Sequence, residues 1–168
     1  MEDKELVETS DFIKLGQELQ QDEKFLSVSE ELAIQGKYRI ILDREEKEPY
    51  LVRYYLYNYR PFARIVIHNI LRSDIDGLHD HPWAFQTYIL SGGYWEHTPE
   101  GRFWRDPGYH GVNAANNFHQ LEIDPDADEQ TWTLFLMGPK EKDWGFMNKD
   151  GIWIPHEIYL EERKNNSI

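Results

Sequence analysis

Apolar residues fall at two different spacings along this chain. Up to about residue 36 they recur at helical intervals. Phe12, Ile13, Leu15 and Leu19 follow Thr9-Ser10-Asp11, and Ser10 or Asp11 can cap a helix start by accepting from orphan backbone N–H groups. A second short helix is expected after Ser27 or Ser29. Leu32 and Ile34 supply its apolar side, Ser27 and Glu30 form a capping-box pattern, and Gly36 ends it. Residues 1–36 thus read as a helical flank or lid packed on a main domain.

From Tyr38 onward the texture is that of strands. Tyr38-Arg39-Ile40-Ile41-Leu42 is the first run. Further runs lie at 50–57, 63–71, 85–90, 93–96, 103–105, 118–123, 132–137, 144–146 and 152–154. Between them stand a charged turn at 43–49, a break at Pro61 and a turn at 148–151. Short strands at close spacing, separated by Gly, Pro and Asp, predict an all-β sandwich or barrel over residues 37–163. No internal repeat or linker divides it. The ends, before Glu8 and after Arg163, are expected to fray, leaving 164–168 as a tail.

A length of 168 residues suits one domain with a sizeable core. Aromatics make up 14% of the chain, which favours half-buried pleated strands over a helical bundle. Acidic residues number 31 against 18 basic, a net charge of -13 that argues against binding nucleic acid or an anionic membrane. The absence of cysteine excludes disulfides, thiolate zinc sites and a cysteine nucleophile. Met1-Glu2-Asp3-Lys4-Glu5 is no secretory signal, and no apolar run approaches the roughly 18 residues a membrane helix needs. A cytoplasmic protein is the expectation.

The candidate chemistry centres on His79-Asp80-His81. On an extended strand these two imidazoles point the same way, which supplies half of a site for a transition metal. The alternative is a pair of hydrogen-bonded histidines without an ion. There is no Gly-rich phosphate loop and no Gly-x-Ser-x-Gly elbow. The acidic run at 124–129 lacks the register of a calcium loop and reads as a solvated turn.

The stretch from Gly77 to Gly92 or Gly93 resembles the first motif of the cupin superfamily: Gly, a spacer, His-x-His, three or four residues, Glu, about six residues, Gly. His79 and His81 are the histidine pair, Gln86 stands in the glutamate slot, and Gly93 closes the motif. Pro107-Gly108 and His119 resemble the second motif. Two departures stand out: Gly77 lies only two residues before His79, and the glutamate is an amide. The resemblance spans about residues 38 to 160. It implies a double-stranded β-helix, or jelly-roll barrel, with short N-terminal helices in front. It also implies a metal held by His79, His81 and His119. Such a set resembles the three-histidine iron sites of thiol and diketone dioxygenases. His-Asp-His-Pro-Trp, Gly-Gly-Tyr-x-Glu and Trp-Thr-Leu-Phe-Leu-x-Gly-Pro-Lys further resemble small bacterial and phage cupins without an assigned activity.

The resulting expectation is a mononuclear iron(II) dioxygenase of a small anionic molecule, with manganese, nickel or zinc as alternative metals. The partners are then the small-molecule substrate and O2, and pairing into a homodimer is expected by analogy. A non-catalytic binding module and a metal-assisted sugar isomerase or epimerase are the competing readings. Gln86 is read as a ligand or as a hydrogen-bond partner of one. His68 is read as a core histidine or an acid/base group. Arg64, which shares parity with His68, is the first choice for a substrate-carboxylate clamp ahead of Arg53 and Arg72, against an outer-face salt bridge. Tyr88 and Tyr94 are read as packing residues or phenols near the metal, and Trp83 as a wall of the barrel mouth.

Overall fold

A computed structural model describes residues 7–43, 47–59 and 61–166. Part of the charged turn, the acidic N-terminal residues and the last two residues of the tail lie outside the described residues. Two antiparallel sheets dominate. The larger has six strands in the order β1 (Tyr38–Leu42), β2 (Pro49–Tyr59), β3 (Ala63–Ile70), β9 (Thr131–Met137), β4 (Phe85–Ser91) and β7 (His110–Asn113). Opposite it lie β6 (Gly101–Arg105), β5 (Tyr94–Thr98) and β8 (Gln120–Glu122), and the pair β10 (Gly145–Met147) and β11 (Trp153–Pro155). The backbone of His79 bridges both His119 and Phe146, so the 78–80 segment joins these smaller sheets into one layer. The cavity described below lies between the two layers.

Both faces of the large sheet are buried at its centre, in β3, β9 and β4, which is why these strands read as nearly unbroken apolar runs. Period two still sorts them. Ile65, Ile67, Tyr88, Leu90, Leu134 and Leu136 face outward and form a core with Phe12, Leu19 and Phe25 of the N-terminal helices. Val66, Phe85, Phe135 and Met137 pack together on the inner side, next to Trp83. Burying a Phe or Leu completely contributes about 1.5–3 kcal/mol, so the helical flank is part of the core rather than a loose lid.

The helices are α1 (Thr9–Gln20) and α2 (Lys24–Ile34). Their starts differ from the capping expectations. Glu8 is the N-cap of α1, without a side-chain hydrogen bond. The second helix begins before Ser27, whose hydroxyl donates to the Lys24 carbonyl within the first turn. What starts α2 is a tight turn: Asp22 and Glu23 adopt left-handed backbone angles, with φ of 52° and 53°. Antiparallel docking on the sheet outweighs the local capping pattern.

Two elements escaped the sequence reading. β7 lies in a stretch with little apolar alternation, and it forms because β4 offers it a pairing edge. A third helix, α3 (His156–Asn166), follows β11 where no element is predicted, and runs into the end expected to fray after Arg163. Tyr159 of α3 stacks on Phe146, with centroids 4.1 Å apart, and Arg163 bonds Asp76 at 3.1 Å. Among the described residues no helix is long and apolar enough to cross a membrane.

Gly16 explains how closely α1 seats on β4. A Cβ at this position would stand 2.5 Å from the Tyr88 ring. Alanine would normally favour a helix by up to about 1 kcal/mol over glycine. Here Gly16→Ala is expected to destabilise the protein by about 1–3 kcal/mol, since the ring must shift. Urea unfolding measures this, and a rise in stability would contradict the packing.

Candidate metal centre

Backbone pairing builds the site before any side chain acts. The His79 N–H donates to the His119 carbonyl at 3.0 Å, and the His119 N–H donates back at 2.9 Å. Residues exchanging both bonds lie directly opposite each other, so their side chains share one face. His81 follows His79 by two residues and takes that face as well; its N–H donates to the Ala115 carbonyl at 3.0 Å. The intervening Asp80 is buried and accepts from the Gly145 N–H at 2.8 Å and from the Lys142 ammonium. That commitment removes Asp80 as a ligand.

The three rings form a nearly equilateral triangle, with centroids 5.1, 5.0 and 4.9 Å apart. One nitrogen from each ring lies within 4.8 Å of the others. A metal–nitrogen bond of about 2.1 Å puts a ring centroid about 3.2 Å from the ion. Centroids 5 Å apart then correspond to about 100° between ligands, a facial arrangement with room for more. His119 Nδ1 lies 2.8 Å from Glu96 Oε2, and Arg105 Nε donates to Glu96 Oε1 at 3.0 Å. Burial pushes the Glu96 carboxyl up, but the bonds and charges of His119 and Arg105 outweigh it and hold it below the ordinary carboxylate range. An ionised Glu96 can only accept, so Nδ1 carries the proton and the Nε2 lone pair is left for an ion. His81 is held between Trp83, at 5.1 Å, and Phe85, at 4.5 Å. The donor set fits a transition-metal ion.

The rings open on a cavity of about 320 Å³ lined by both layers. No family model matches the chain, and no curated protein matches it. Solved structures do. The polyketide cyclase RemF from Streptomyces resistomycificus superposes with a TM-score of 0.51 at 12% identity, covering 67% of this chain and 79% of that one. A cupin-2 domain from Rhodospirillum rubrum superposes with a TM-score of 0.53 at 11% identity, covering 68% and 76%. The fold is a cupin fold.

Within this fold the other candidates separate by strand parity. His68 lines the cavity, buried against Phe135 at 5.1 Å. Gln86 does not face the histidines. It lies on the outward parity of β4, where its amide oxygen meets His110 Nε2 at 2.8 Å and its amide nitrogen donates to the Thr9 hydroxyl at 3.2 Å. The inward positions of β4 are Phe85 and Thr87. Counting residues from His81 misplaces the glutamate slot because the strand begins only at Phe85, after the bend at 82–84. Tyr88 is also outward; its hydroxyl donates to Gln20 Oε1 at 2.9 Å, beneath α1. Arg64 shares the parity of His68 but sits at the far end of β3 and lines a different cavity with Lys140 and His156. Arg53, opposite His68 in the ladder, is the arginine that lines the cavity of the three histidines.

Glu96, the last residue of Gly-Gly-Tyr-x-Glu, has no role assigned from sequence, yet it is the carboxylate that meets His119. Its signal was a carboxylate two residues after Tyr94 on an alternating strand, a parity that puts it inside. Glu96→Gln is expected to weaken metal binding by about 10–100-fold, because His119 loses its charged orienting partner. A competitive chelator titration measures this; unchanged affinity would mean that Glu96 supports the fold only.

Proposed function

We propose that His79, His81 and His119 hold a divalent transition-metal ion, and that this cupin is a dioxygenase of a small organic anion. The convergence of three imidazoles on the wall of a cavity carries this reading. Three neutral ligands leave the charge of the ion uncompensated, so an anionic small molecule is the favoured occupant of the remaining positions. Iron(II) suits oxygen chemistry best, with manganese, nickel and zinc as alternatives. The ion, when bound, supplies charge stabilisation and brings reactants side by side.

The chain's own residues do the rest. Glu96 orients His119. Trp83, Phe135 and Trp144 wall the cavity with apolar surface that limits water. His68 is held well below the ordinary histidine range by burial and by the charge of Arg53, so its imidazole stays neutral. A neutral imidazole in the cavity also favours a second reading, a redox-neutral isomerase or cyclase in which His68 moves a proton.

Two measurements test the proposal. Elemental analysis of protein purified without a metal-binding tag should find about one transition-metal ion per chain, and His79→Ala or His119→Ala should remove it. Iron(II)-loaded protein, screened with small thiols, diketones and organic acids, should consume oxygen in step with one of them, and His119→Ala should abolish uptake. Turnover without oxygen uptake would favour the redox-neutral reading. Metal without turnover would favour a binding module.

A further inference from the structure

The outer face of the sheet formed by β6, β5 and β8 carries a second cavity, which shares no lining residue with that of the histidines. Glu96 turns inward to His119, so its neighbours Trp95 and His97 on the alternating strand β5 turn outward. Register places Trp95 opposite Trp104 of β6. The two indoles meet at 62° with centroids 5.5 Å apart, which makes a corner rather than a stack. This corner walls a cavity of about 350 Å³ completed by Gly92, Gly93, Asp124, Ala127, Glu129 and Thr131.

Glycine at 93 is what lets the corner form. Its φ is 98°, and a Cβ there would stand 2.7 Å from Trp104 Cζ2. The benzo edge of Trp104 therefore lies over bare backbone, while its Nε1–H donates to Asp106 Oδ1 at 3.2 Å. With that donor satisfied, the ring has only carbon surface left to offer, and Trp104 is still 45% exposed. Arg102 lies over the Trp95 ring at 3.8 Å and pairs with Glu122, so a guanidinium of the chain itself already rests on this ring pair. Among the described residues no lysine or arginine lies over Trp104, and none lines the cavity. Its charged lining residues are Asp124 and Glu129, at the two ends of a loop that also carries Asp126 and Asp128.

We propose that this cavity is a site for a small quaternary ammonium molecule, its trimethylammonium group seated in the corner of Trp95 and Trp104 with Asp124 and Glu129 beside it. Indole faces attract a cation through the ring quadrupole. A fully methylated ammonium has no N–H to satisfy, so walls of ring carbon suit it better than they suit a primary amine. The carboxylates supply counter-charge without having to touch the ion, because Coulomb attraction falls off only slowly with distance. The same acidic loop repels phosphate, which favours a free cation over the headgroup of a choline lipid. A volume of about 350 Å³ lies near the small end of ligand pockets and suits a molecule of this size.

Choline and its uncharged carbon isostere 3,3-dimethyl-1-butanol are the probes, titrated by calorimetry into the full chain. Choline should bind saturably and about tenfold more tightly than the alcohol, the combined effect of two indole faces and the nearby carboxylates. Trp104→Leu keeps apolar area but removes a π-face, and should bring the two probes within about threefold of each other. E129Q should weaken choline about threefold and leave the alcohol unchanged. His119→Ala should leave both affinities as they are, and phosphatidylcholine vesicles should not sediment the protein. Absence of saturable choline binding, equal binding of the two probes, unchanged discrimination in Trp104→Leu, or co-sedimentation with the vesicles overturns the proposal. Choline binding that disappears in His119→Ala would belong to the histidine cavity and overturn it as well. Should Trp104→Leu fail to fold, E129Q and the wild-type choline-to-alcohol ratio still decide.

Discussion

The reciprocal backbone pair between His79 and His119 is the contact on which the rest of this site depends. It joins segments forty residues apart, ties the β8 region to β10, and forces two imidazoles to stand side by side. His81 joins them only because it is two residues further along the same extended segment. A ladder bond is individually modest, about 0.5–1.5 kcal/mol net. Its value here is geometric, because a strand pair fixes direction as well as distance. The geometry of the candidate metal centre thus follows from the sheet, and Glu96 and the flanking aromatics refine the ring orientations.

The large sheet has to satisfy two neighbours at once. Its outer face takes Phe12, Leu19 and Phe25 from the helices, and its inner face lines the cavity. Period two therefore assigns function position by position. Gln86 and Tyr88 fall to the helix side and make structural hydrogen bonds, whereas Phe85 and Thr87 fall to the cavity side. The same rule separates Ile65 and Ile67 from Val66 and His68. A one-residue error in where a strand begins exchanges the two roles completely.

The cavity is electrostatically mixed in an ordered way. Carboxylates sit behind the histidines: Glu96 against His119, and Asp74 with one oxygen 4.0 Å from His79 Nδ1. The guanidinium of Arg53 lies on the opposing sheet beside a neutral His68. Lys142 offsets the charge of Asp80, Asp74 is held by the neutral Tyr50 hydroxyl and Leu121 N–H, and no carboxylate pairs with Arg53 among the described residues, so charges of both signs line the cavity.

Much of this protein was legible in one dimension. Strand runs from Tyr38 to Ile154, the helical spacing around Phe12 to Leu19, and the parity of His79 and His81 depend on local periodicity, which a linear pattern records. Resemblance to the cupin motifs added His119. What escaped depended on pairing between distant segments. β7 exists because β4 has an edge for it, and α3 because Phe146 offers Tyr159 a ring to stack on. Glu96 reached His119, and Arg53 rather than Arg64 reached the cavity, through strand register. Local alternation says that a side chain lies on one of two faces; only the closing of one sheet over another decides which face becomes the inside and how far along it each residue stands.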